Sequence, residues 1–136
     1  MRFELSKEEQ KVVDAERNKL RSEFMCGFNN FSPEAGMSYP APTNRLEEAY
    51  HKGEVAAEKV ITRAREMARY DFYGDDWHYT DKNRRPGQRG IYTASHLQEW
   101  AITYGLNYNL HFDMYCDRYD EAYYNELRVL SGLKAK

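Results

Sequence analysis

Two cysteines, Cys26 and Cys116, are all the thiols this chain has, too few and too far apart for a disulfide framework. Both are expected to be reduced, as in a cytoplasmic protein. No apolar run approaches the ~20 residues that a membrane-spanning helix needs, and Met1 to Gln10 lacks the apolar core of a secretion signal. No membrane partner is expected. Neither sign of charge dominates: 20 basic residues against 22 acidic ones leave −2, which argues against a dedicated nucleic-acid coat and a wholesale DNA mimic. Missing too are a glycine-rich phosphate loop, a Ser, His and Asp arrangement, and Cys or His pairs at zinc spacing. The expectation is therefore no enzyme, no cofactor and no metal.

What the chain does have is tyrosine, twelve of them among 136 residues, concentrated toward the C-terminus. From Ser95 to Leu130 apolar residues recur at helical spacing. Leu97, Ala101, Tyr104, Tyr108, His111, Tyr115, Tyr119 and Ala122 step by four and three, with Trp100, Phe112, Tyr123 and Leu127 widening the stripe. Ser95 and Gln98 form an S-x-x-Q capping box at its start. An unbroken helix over 96–130 would be roughly 50 Å long, against a radius of gyration near ~13 Å for a chain of ~100 residues. Gly105, Asn107 and Asn109 form its weakest part, so a kink or break is predicted there.

Two earlier helices are predicted. Ser6 and Glu9 make a capping box, and Val12, Val13, Leu20, Phe24 and Phe28 continue at helical steps until Gly27, Asn29 and Asn30 signal a stop. Lys7, Lys11, Arg17, Lys19 and Arg21 alternate there with acids, a solvated face laced by weak ion pairs. Phe31 to Thr43, with Pro33, Pro40, Pro42 and Gly36, reads as an irregular connection whose Phe31, Met37 and Tyr39 pack down. Asn44 and Glu47 cap the second helix. Its Ala49, Gly53, Ala56, Ala57 and Ala64 form a narrow face that admits large rings, so it is expected to pack on the tyrosine stripe, with Gly53 and Ala57 facing those rings.

The fold class is thus all-α, a single domain over 1–136 with three principal helices at about 6–28, 44–69 and 95–130 and a long loop at 70–93. The loop is aromatic and acidic up to Asp81, then basic and turn-forming through Gly90. Its Pro86-Gly87 turn would let Trp77 to Tyr79 and Ile91 to Thr93 pair as a short β-hairpin.

Three constellations carry the functional readings. Asp71, Asp75, Asp76, His78 and Asp81 are metal-ligand types, but their spacing matches no metal loop, so a solvated turn is the plainer reading. Lys82, Arg84, Arg85 and Arg89 form a compact basic patch suited to phosphate, which would make the chain an RNA-, DNA- or ribosome-binding module. The third is the aromatic surplus. One Ala-rich helix and one charged helix cannot cover every ring of the third, and Tyr is enriched at interface hot spots. This favours a small non-catalytic protein that binds another macromolecule and modulates or inhibits it. A bacteriophage-encoded inhibitor of a host enzyme or defence complex is its most concrete form, and a homodimer its simplest. Candidate partner-binding residues are Trp77, Tyr79, Arg84, Arg85 and Arg89 in the loop, and Tyr119, Tyr123 and Tyr124 on the helix. A metal-dependent enzyme using Asp71, Asp75, Asp76 and His78 is the remaining alternative.

Overall fold

The computed structural model describes residues 4–73 and 98–134, and all regular structure among them is helical. Four helices follow in order: α1 (Lys7–Asn30), α2 (Arg45–Tyr73), α3, whose described part spans 98–104, and α4 (Tyr108–Leu130). The proposed hairpin and the Ser95 capping box lie outside the described residues.

Capping chemistry sets the helix ends. The Ser6 hydroxyl accepts from the Glu9 N–H at 3.1 Å while the Glu9 carboxylate accepts from the Ser6 N–H at 2.8 Å, the reciprocal pair expected at α1. At α2 the Asn44 side chain accepts from the Glu47 N–H at 2.9 Å, but Glu47 reaches back to the N–H and hydroxyl of Thr43, at 3.2 and 3.0 Å. The long helix expected over 95–130 is broken where its weak residues lie. Gly105 adopts φ +65°, and the Leu106 N–H returns to the Ala101 carbonyl at 3.1 Å, a Schellman closure that ends α3. Asn107 then caps α4, its side chain accepting from the Leu110 N–H at 3.1 Å. A second closure, with Gly132 at φ +79° and Leu133 N–H on the Arg128 carbonyl at 2.7 Å, ends α4.

α1 and α2 cross at a pair of glycines. A Cβ on Gly27 would stand 2.0 Å from the Tyr50 carbonyl oxygen, and one on Gly53 would stand 1.9 Å from that of Phe24. No side chain larger than hydrogen fits between these backbones. This corrects two expectations. Gly27 does not stop the first helix, which runs through it to Asn30, and Gly53 faces the backbone of α1 rather than the rings of the C-terminal helices. The second helix also reaches beyond 69, so Tyr70 to Tyr73, assigned to the loop, form its last turn.

The core forms where the alanines of α2 meet aromatic rings. Ala49, Ala56, Ala57, Val60, Ile61, Ala64, Met67 and Ala68 are buried with Phe24, Phe28 and Phe31 from the α1 side and Tyr104, Leu106, Tyr115, Tyr119 and Tyr123 from α3, its corner and α4. Rings bridge the helices: Phe24 stacks on Tyr104 at 4.6 Å, and Phe28 on Tyr115 at 6.1 Å. The connection after α1 is tied down as expected, by a residue the pattern did not single out. Glu54, 2% exposed, accepts from the Ser38 N–H with both carboxylate oxygens, at 3.1 and 3.0 Å, and from its hydroxyl at 3.0 Å. The first turns of α1 pack on nothing described. Residues 7–15 are exposed all round, and Val12 and Val13, which open the helical stripe read from the sequence, are 70% and 44% exposed.

An alanine in place of glycine normally stabilises a helix interior by about 1 kcal/mol. At Gly27 and at Gly53 the sign is expected to reverse: Gly27→Ala and Gly53→Ala should each cost roughly 1–3 kcal/mol, because backbone must move to admit the methyl. Urea unfolding reads this as a lowered midpoint at unchanged slope.

Candidate functional site

The C-terminal ends of α2 and α4 are held side by side by two polar contacts. The Tyr123 hydroxyl donates to the Asp71 carboxylate, and the Arg69 guanidinium pairs with the Glu126 carboxylate at 3.0 Å. Arg69 is half exposed, so that ion pair positions the helices more than it stabilises them. On the other flank of α4 the Arg118 guanidinium donates to the carbonyl of Phe31, the residue capping α1. Burial lowers the Arg118 pKa from its ordinary value, opposed by the nearby Glu121 carboxylate, yet a guanidinium remains charged.

Around this junction rings pass from buried to exposed. Tyr119 and Tyr123 are 3% and 8% exposed and stack at 6.3 Å, whereas their neighbour Tyr124 is 54% exposed, its ring edge-on to Tyr123 at 5.1 Å. On α2 the final turn presents Tyr70, Phe72 and Tyr73, the last 68% exposed, with Phe72 and Tyr73 in edge contact at 5.2 Å. Tyr70 and Tyr73 line a groove of about 290 Å3 with Glu66 and Arg69. A wider one of about 630 Å3 runs along the outer face of α4, lined among others by Asp120, Glu121, Tyr124, Leu127, Arg128 and Leu133.

Of the residues nominated from sequence, Tyr119 and Tyr123 are core, because their helical phase turns them toward the alanines of α2. That corrects the expectation that both would be exposed anchors; Tyr124, one position on, points outward. Trp77, Tyr79, Lys82, Arg84, Arg85 and Arg89 lie outside the described residues, as do Asp75, Asp76, His78 and Asp81. Asp71 is described, and its carboxylate takes the Tyr123 hydroxyl. His111 bonds through Nδ1 to the Asn107 carbonyl at 2.8 Å, and since a carbonyl only accepts, Nδ1 carries the proton. Among the described residues no group of three or more His, Cys, Asp or Glu is arranged to hold a metal ion, and no described helix is long and apolar enough to cross a membrane. Sequence reading missed Tyr70, Phe72 and Tyr73. Periodicity gave no sign of that turn, since the step of the α2 stripe after Met67 falls on the charged Asp71.

Comparison with protein-family models, curated proteins and solved structures finds no match to this chain.

Burial raises the phenol pKa of both Tyr123, which also donates to Asp71, and Tyr104. Below about pH 10 both phenols are neutral in the folded and unfolded chain, so the full stability is present; above it the unfolded chain ionises first and binds fewer protons. Stability should therefore fall as pH rises past about 10, by up to about 1.4 kcal/mol per unit for each such phenol. Tyr123→Phe should make the fall shallower in pH-dependent denaturation. At neutral pH the same change should cost only about 1 kcal/mol, because Asp71 is exposed and recovers water.

Proposed function

We propose that this is a small non-catalytic protein that binds another macromolecule, a protein rather than a nucleic acid, and modulates it through the aromatic end of α2. The observation that carries the reading is the solvent exposure of Tyr70, Phe72 and Tyr73 on the last helical turn. Exposed aromatics supply large contact area at low conformational cost, and Tyr concentrates at the centres of protein interfaces. The charges around them are mixed, Glu66 and Glu126 with Arg69 between, which suits a protein surface better than a phosphate backbone. Inhibition of a host enzyme or defence complex by a phage-encoded protein is the most concrete form of this reading.

Immobilised protein, exposed to lysate of the native host before and after nuclease treatment, tests it. A protein partner should survive nuclease and fall about tenfold or more on Tyr70→Ala with Tyr73→Ala, a difference of at least ~1.4 kcal/mol. Retention that nuclease abolishes, or that the double variant leaves unchanged, overturns it.

A further inference from the structure

The outer face of α4, turned away from the buried tyrosines, carries its charge in a definite order. Asp117, Asp120 and Glu121 come first, Tyr124 and Leu127 follow, and Arg128 and Lys134 come last. Residues 117, 120, 121, 124, 127, 128 and 131 are separated by helical steps and share one stripe. The groove of about 630 Å3 lies along it, with Tyr124 and Leu133 each 54% exposed. The Schellman closure at Gly132 folds Leu133 back beside the helix. Arg128 Nε donates to the Lys134 carbonyl at 2.9 Å, which holds the basic end over the last turn.

An acidic, then apolar, then basic order along one helix face is self-complementary under a two-fold axis. A second α4 running antiparallel about Tyr124 sets its Arg128 and Lys134 against Asp117, Asp120 and Glu121 of the first, and the same pairing recurs on the other side of the axis. Tyr124 and Leu127 of both copies meet between the charged zones. A parallel copy would instead align acid with acid. Within one chain Asp117 and Glu121 are like charges one turn apart and repel; the partner's cations relieve that repulsion.

We propose that the outer face of α4 is the interface of an antiparallel homodimer centred on Tyr124. It uses a different face from the aromatic end of α2 and does not depend on the partner-binding reading. The contact is one helix wide, at the small end of protein interfaces, so the dimer is reversible and concentration dependent.

Sedimentation velocity from low micromolar to near-millimolar protein tests this. The expected result is a monomer–dimer equilibrium whose dissociation constant rises about tenfold or more with Tyr124→Ala and also rises with salt. Asp117→Lys with Glu121→Lys, and separately Arg128→Glu with Lys134→Glu, should each be monomeric, since each places like charges across the axis. Mixed together, the two reversed variants should pair with each other. The proposal is overturned by a wild-type chain that stays monomeric throughout, by a dimer indifferent to salt and to Tyr124→Ala, or by folded reversed variants that fail to pair when mixed. Tyr70→Ala with Tyr73→Ala should dimerise like wild type, so loss of partner capture and loss of the dimer are read separately.

Discussion

Everything in this fold depends on how closely α1 and α2 approach at their crossing. Where Gly27 meets the carbonyl of Tyr50, and Gly53 that of Phe24, the two backbones touch without side chains between them. Each glycine costs its helix about 1 kcal/mol of propensity, and the return is dispersion contact at interior density. The approach has a second effect. It brings Phe24 and Phe28 of α1 within stacking range of Tyr104 and Tyr115, so the glycines set the position of rings that belong to other helices.

A core built from tyrosine rather than leucine has to dispose of hydroxyl groups. The alanines of α2 give the rings depth, and at the end of α2 the Tyr123 hydroxyl finds the exposed Asp71 carboxylate. The solution recurs with other polar groups. Glu54 is buried because Ser38 supplies its donors, and Arg118 enters the α1–α4 junction because the Phe31 carbonyl awaits it. Each of these contacts fastens a segment that helical periodicity alone leaves loose: the end of α2, the proline-rich connection and the C-terminus of α1.

Local chemistry was legible in the sequence and distant geometry was not. The capping pairs at Ser6 and Asn44 and the break at Gly105 follow from side chains acting within a few residues of themselves, and the packing of a small-residue helix against tyrosines follows from the complementary sizes of two helical stripes. Gly27 was misread because a glycine near an Asn-Asn pair looks like a helix end; only the carbonyl of Tyr50, on another helix, reveals its use. Tyr119 and Tyr123 were misplaced for a related reason. A broad aromatic stripe does not say which edge a neighbour will cover, and α2 covers the edge that includes them while Tyr124 stays outside. The exposure of Val12 and Val13 is the opposite case, an apolar pattern that no described segment meets.

The corner between α3 and α4, closed by its own backbone and by Asn107, is also held from far away. Arg17 donates to the carbonyl of Ile102 at 3.4 Å and Arg21 to that of Gly105 at 3.3 Å, contacts that span 85 and 84 residues of chain. They place positive charge at the C-terminal end of α3, where unpaired carbonyls collect. The two arginine contacts therefore form only once α1 has docked, and the cost of closing so long a loop precedes the gain they bring. A circular permutant with new termini between α1 and α2, and the old ones joined, would bring Arg17 and Arg21 nearer to the corner in sequence. Its folding rate would then separate the cost of topology from the strength of the contacts themselves.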